Sequence, residues 1–217
     1  MSNLKQKANE IRRQILQSSF NAKACHIGSA LSCVDIMVDL HYRVLNKDDI
    51  FLFSKASGVA TYYSILADKG YFAKEKIAEY LHNYPLPSKE VPGIIHSCGS
   101  LGHGLPVATG IAYAKRDTQV YVLISDGEVQ EGTFWESILF KHQHKLDNLH
   151  IIVDWNGHQA MGRIEEILDI PWDFVRSMGV EVVDTIKGQG VDFIEDKTEW
   201  HYKNLSEEQL KEALCQI

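Results

Sequence analysis

The chain has 217 residues, enough for one large domain or two small ones. Hydrophobic residues make up 45% and charged residues 24%, with only 5 prolines and 15 glycines. That is an ordinary globular composition, and it excludes collagen-like and low-complexity chains. Lys and Arg total 22 against 29 Asp and Glu, a net charge of −7, which argues against nucleic-acid binding because that needs a basic footprint. No run of about 18 apolar residues suggests a membrane span. The charged opening MSNLKQKANEIRRQILQSS lacks the apolar centre of a secretion signal, so the cytoplasm is expected. Cys25, Cys33, Cys98 and Cys215 form no Cys-x-x-Cys pair, so free thiols rather than zinc or disulfides are expected.

Leu4, Ala8, Ile11, Ile15 and Leu16 recur at helical spacing and predict a helix over 3–20. A second helix is predicted over 33–45, a buried strand over 49–54, a helix over 58–69 closed by Gly70, and a short helix over 74–83. Residues 84–102 carry Pro85, Pro87, Pro92, Gly93, Gly99 and Gly102. A long irregular stretch of this kind inside a domain is expected to be functional. The second half alternates. Helices are predicted over 104–115 and 131–146, and apolar strands over 119–125, 149–154 and 180–186. In the 131–146 helix, Phe134, Trp135, Ile138, Leu139 and His142 share one face. Apolar strands alternating with helices predict one α/β domain over 1–217, a parallel sheet with helices on both faces.

Ligands of such sheets bind at the carboxyl ends of the strands. Asp126 and Asn156 each follow a predicted strand, so both should emerge at that edge. Carboxylate, amide and backbone oxygens suit Mg²⁺ or Ca²⁺, with a diphosphate completing the octahedron. Gly127 would let a phosphate approach the backbone. Asp, Gly and Asn also favour ordinary turns, so spacing alone leaves both readings open.

The stretch LISDGEVQEGTFWESILFKHQHKLDNLHIIVDWNGHQAMGR resembles the cofactor segment of transketolases and other thiamine-diphosphate enzymes, in which Gly-Asp-Gly is followed, one helix and one strand later, by Asn. AKACHIGSALSCVDIM, SCGSLGHGLPVATGIAYA and TIKGQGVDFIEDKTEWHYKNLSEEQLKEAL resemble three further family segments, in the family's order, so the likeness spans the whole chain. It implies the diphosphate-binding domain of that family, with thiamine diphosphate and Mg²⁺ (Ca²⁺ as a substitute) as cofactors. Asp126 and Asn156 would hold the metal by side chain and His158 by its carbonyl. Gly127 would meet the diphosphate, and Ser57, Gly99, Leu101, Glu128 and His201 complete the expected cofactor contacts. His26, His103, His201 and Glu131 would be the catalytic set, with Glu131 at the interface between two active sites.

The departures matter as much. Ser125 replaces the first glycine of Gly-Asp-Gly. Ser57 and Leu86 stand where the family has substrate-facing histidines, and His103 replaces a Gln. His96 lies near Gly99 and could compensate for the lost imidazoles. His41, His82, His142, His144 and His150 match no motif and are expected to be structural or surface groups. The chain runs from VEVVD straight into TIKGQG, so one βα unit of the usual domain is expected to be missing. The family's pyrimidine-binding domain is not recognisable here. A second subunit carrying it is therefore expected, two copies of each, with sugar or keto-acid substrates and neither nucleic acid nor membrane as partners. Three functions compete: transfer of a two-carbon unit from a ketose to an aldehyde or ketone, use of a 2-keto acid donor with decarboxylation, and a non-catalytic scaffold.

Overall fold

A computed structural model describes residues 2–217. Helix α1, Ser2–Ala22, buries Ala8, Ile11, Ile15 and Leu16 along one stripe. Ile11, Ile15 and Leu16 each contribute about 1.5–3 kcal/mol when fully buried. Helix α2, Ile27–Ser32, which the sequence pattern does not anticipate, precedes the predicted second helix, found as α3, Val34–Asp39, continued by a π-helical turn over Leu40–Val44. Strand β1, Ile50–Phe53, leads into α4, Val59–Asp68. Gly70, at φ +85°, closes α4: its neighbour Tyr71 donates back to the Leu66 carbonyl at 3.0 Å. Next come α5, Ile77–Asn83, and α6, Gly104–Ala114. Then β2, Val120–Ser125, α7, Gly132–His144, and β3, Leu149–Trp155, alternate as expected. Helices α8, Ile164–Ile167, and α9, Trp172–Ser177, precede β4, Val180–Asp184, and α10, Glu207–Gln216, closes the chain.

The four strands are parallel in the order β1-β2-β3-β4. Period-two alternation sends Leu123 and Ile152 to one face, among α1–α5 and α10. It sends Val122, Ile124, Ile151 and Val153 to the other, against α6 and α7. The expected single face of α7 divides in the structure. Phe134 and Ile138 are buried, but Leu139 and His142 are exposed, because the core stripe is narrower than the apolar run. Phe134, which the sequence also offers to an interface, is therefore committed to this chain's own core. All four cysteines are free. Among the described residues no helix is long and apolar enough to cross a membrane. β4 passes directly into the next segment, with Thr185 N donating to the Trp155 carbonyl at 2.9 Å. Among the described residues no fifth strand lies beyond β4.

Candidate active site

The carboxyl ends of all four strands converge on one cleft of about 400 Å³. Ser54 and Lys55 follow β1, Asp126 and Gly127 follow β2, Asn156 follows β3, and the strap of residues 185–201 follows β4. A larger groove of about 530 Å³ lies between α3 and the β3–β4 face. Of its four carboxylates, Asp35 and Asp39 are paired with Arg12 and Arg43, and none of the expected site residues lines it.

Beneath the cleft lies a closed polar network. Asp154 accepts from Lys55 Nζ at 2.7 Å, from Ser32 Oγ at 2.6 Å and from Thr185 Oγ1. Lys55 and Asp154 are both almost fully buried. Burial works against the Lys55 charge, yet Asp154, Cys33 and Asp126 hold its pKa above the usual lysine range. Asp126 sits beside this network. Its Oδ2 accepts from Asn156 N at 3.2 Å and Gly157 N at 2.9 Å, and its Oδ1 accepts from Gly127 N at 2.9 Å. Burial pushes its carboxyl up to about 6, against the pull of Lys55. A cation at this position would favour the ionised form.

The strap behaves differently. Lys187 is fully buried and its Nζ has no hydrogen-bond partner. Burial pushes its pKa down to about 8, with Lys55 adding and Asp126 opposing. Its charge is felt by His26 and His201, whose rings meet edge to face at 4.7 Å. Burial lowers both imidazoles, His201 to about 3, so both are neutral near pH 7. His26 adopts φ +66°, uncommon for a non-glycine residue, and its N–H donates to the His201 carbonyl at 3.0 Å. The Nδ1 of His201 is buried without a partner. A buried ammonium and a buried imidazole nitrogen without partners suit an anionic, hydroxylated ligand, because unpaired buried polar atoms are costly.

Of the expected site residues, His26, Ser57, Gly99, Leu101, Asp126, Gly127, His158 and His201 line the cleft. Asn156 lies just behind, its Oδ1 accepting from His158 N at 3.1 Å. Glu128 does not reach the cleft. It is a fully buried brace, with Oε1 accepting from Gly102 N at 3.2 Å and from Ser54 Oγ, and Oε2 accepting from Ser125 N at 2.8 Å. Its carboxylate completes the capping box that Ser125 opens, so its side-chain oxygens are engaged within the chain. His103 is an exposed residue at the start of α6, Glu131 is exposed beside Gly102, and neither lines the cleft of this chain. His96 also lies outside the cleft, so it does not replace the missing imidazoles. Leu86 does line it: a Cβ on Gly99 would stand 3.0 Å from Leu86 Cδ1. Sequence pattern alone assigns no role to Ser29, Lys55, Lys187, Met161 or Tyr202. The Lys-Gly-x-Gly turn is the available signal for Lys187, and its burial reveals its use.

Residues 1–215 match the family profile described as 1-deoxy-D-xylulose-5-phosphate synthase, its N-terminal part. One of the subunits of the apulose-4-phosphate transketolase of Actinobacillus succinogenes is 36% identical over 264 aligned positions, which cover 99% of this chain and 95% of that protein. A 6-deoxy-6-sulfo-D-fructose transketolase subunit from a Clostridium species is 30% identical, over 99% of this chain and 96% of that one. The solved transketolase of Leishmania mexicana superposes with a TM-score of 0.90 at 20% identity, covering 97% of this chain and 40% of that one. Profile, full-length relatives and fold agree with the geometry of the cleft: the chain belongs to the thiamine-diphosphate-dependent transketolase family and is an N-terminal subunit of a split transketolase.

Proposed function

We propose that this chain, assembled with a second subunit, transfers a two-carbon unit from a ketose phosphate, preferring apulose 4-phosphate to xylulose 5-phosphate, onto an aldehyde or ketone acceptor. The observation that carries the departure from a standard donor site is Leu86, seated against Gly99 in the cleft wall. Each donor hydroxyl turned toward that wall loses a partner, at about 1–3 kcal/mol, so the wall discriminates between these two isomers by where their hydroxyls point, not by how many they carry. The Actinobacillus relative named for apulose 4-phosphate supports the same reading.

The residues present fit the family's cofactor. Asp126, Asn156 Oδ1 and the His158 carbonyl offer the hard oxygen ligands that Mg²⁺ takes, with Ca²⁺ as a substitute. Lys187 and the Gly127 backbone would meet the diphosphate. Thiamine diphosphate supplies, when bound, the carbon nucleophile and the electron sink for carbon–carbon cleavage. His26 and His201, held neutral, can each donate to or accept from a donor hydroxyl or carbonyl. Leu86, Leu101 and Met161 give the cleft an apolar rim.

The second subunit is proposed to carry the pyrimidine-binding domain, in two copies with two of this chain. Tyr113, Leu139 and Phe140, exposed on α6 and α7, offer it an apolar face. The domain is proposed to lack one βα unit after β4. The aligned relative spans 264 positions against 217 residues here, and the strand leads without interruption into the strap. The cytoplasm is the proposed compartment, on the basis of a charged first helix that packs into the core. The test is kcat/KM over a donor panel with the assembled enzyme. Apulose 4-phosphate should lead, and a clear lead for xylulose 5-phosphate or a 2-keto acid would refute the reading.

A further inference from the structure

The strap carries His201 to the cleft and Lys187 to a buried position beside Gly28, and one residue outside the cleft, Asp196, ties it to the loop after β3. Asp196 donates its backbone N–H to the carbonyl of Lys187 at 2.9 Å. Its carboxylate Oδ1 receives His158 Nε2 at 2.6 Å, and Arg163 Nη2 reaches Oδ2 at 3.0 Å. The other ring nitrogen of His158, Nδ1, pairs with Thr198 Oγ1 at 2.8 Å. The His158 side chain is only 3% exposed, so its imidazole is locked between two strap residues. These bonds assign Nε2 as the donor to the carboxylate and Nδ1 as the acceptor from the Thr198 hydroxyl.

Asp196 has φ +55°, in the left-handed region that Asp and Asn tolerate better than other non-glycine residues. The strap is also tied by Gly188 N to the Gly28 carbonyl at 2.9 Å, His26 N to the His201 carbonyl at 3.0 Å and Arg12 Nε to the Gln189 carbonyl at 3.1 Å. The first two run to the α2 side and the third to α1. The His158–Asp196 clasp is the tie to the loop after β3.

We propose that Asp196, clasped by the His158 imidazole, is a positioning residue that sets Lys187 for the diphosphate and couples the metal-binding loop to the strap. His158 then serves twice. Its carbonyl would serve the metal, and its ring fixes the segment that carries Lys187. An exposed ion pair alone would contribute little. Here one partner is buried, the backbone is held in a sparsely populated conformation, and the same residue bonds the main chain of Lys187. The inference rests on the reading of Lys187 as a diphosphate contact.

Asp196→Ala, Asp196→Asn, Thr198→Val and Lys187→Met are compared in the enzyme assembled with its second subunit. Amide hydrogen exchange is followed across residues 185–201, and thiamine-diphosphate affinity is measured by calorimetry in Mg²⁺. Asp196→Ala should speed exchange at the Asp196 amide and weaken affinity about tenfold, the scale of losing a partner behind a metal-site residue. Asp196→Asn keeps both the backbone preference and an acceptor for Nε2–H, so it should stay near the parent in both readouts. Thr198→Val, which frees one ring nitrogen and alters no charge, should fall between the two. Unchanged exchange and affinity in Asp196→Ala and Thr198→Val, or Asp196→Asn as damaged as Asp196→Ala, would overturn the clasp. If Lys187→Met binds the cofactor like the parent, the reading of Lys187 fails and the clasp with it. If Lys187→Met weakens binding and Asp196→Ala does not, the clasp fails alone.

Discussion

Two buried lysines stand at the same edge of the same sheet and are treated in opposite ways. Lys55 meets Asp154 at 2.7 Å, and Asp154 is further satisfied by Ser32 and Thr185. Lys187 has no partner, and its pKa is pushed down to about 8. The first region is complete within the chain; the second leaves a buried cation without a hydrogen-bond partner. A buried charge whose counter-ion is itself fully satisfied serves the fold, whereas a buried charge left without one is strain kept for function. The contrast separates the residues that build the cleft from those that work in it.

The sharpest way to break the comparison is to neutralise each lysine. Lys55→Met leaves Asp154 buried without its cation and should lower the unfolding free energy by about 3–5 kcal/mol, read by denaturant titration. Lys187→Met removes a charge that the fold does not satisfy, so its unfolding free energy should stay level or rise. Its cofactor affinity should instead fall by about 10- to 100-fold, the range of a hydrogen bond to a charged group. If both variants lose stability equally, the two regions are not distinct. Asp126→Ala belongs with Lys187: affinity for thiamine diphosphate in Mg²⁺ should fall at least ~10-fold by calorimetry.

The same divide marks what was legible in the sequence. Strand periodicity announced β1–β4, and Asp126, Gly127 and Asn156 could be placed because each closely follows a strand. The expected loop over 84–102 does bring Leu86, Gly99 and Leu101 to the cleft. Glu128 was misplaced because sequence order cannot show which way a side chain leaves a tight turn. Its carboxylate is consumed by Ser125, Gly102 and Ser54. Leu139 and His142 were misplaced because an apolar run on a helix can exceed the stripe that the sheet covers. Lys187 was unreadable because its role depends on lacking partners, which only three-dimensional packing reveals.

The pH dependence sharpens the contrast further. The Lys187 pKa lies below its ordinary value of 10.5, at about 8. Below pH 8 the ammonium is already formed, and a diphosphate binds it with no proton uptake. Above pH 8 a proton must be taken up on binding, so affinity should fall by up to tenfold per pH unit until the pKa of the ligand-bound ammonium is reached. Stability of the cofactor-free protein should move the other way. Between about 8 and 10.5 the unfolded chain binds more protons than the folded one, so unfolding free energy rises with pH from this group. Lys187→Met should flatten both trends; if both persist in it, another group is titrating.

The smallest effect concerns the rim of the cleft. Leu86 lies against Gly99 and makes that wall apolar. Leu86→His would restore a side chain able to donate to or accept from a donor hydroxyl, and Leu86 is only partly buried, so the ring has room to reorient. The gain for a hydroxylated donor is one neutral hydrogen bond, about 1 kcal/mol, or roughly fivefold in kcat/KM. The ratio of xylulose 5-phosphate to apulose 4-phosphate turnover should rise by that factor. Stability and cofactor affinity should stay unchanged, because Leu86 bonds neither Lys187 nor Asp126. Leu86→Asn separates a hydrogen-bonding effect from a steric one. It restores polarity without a ring, so a similar rise in both variants assigns the preference to the missing partner. A rise in neither would mean that donor choice is made by the second subunit.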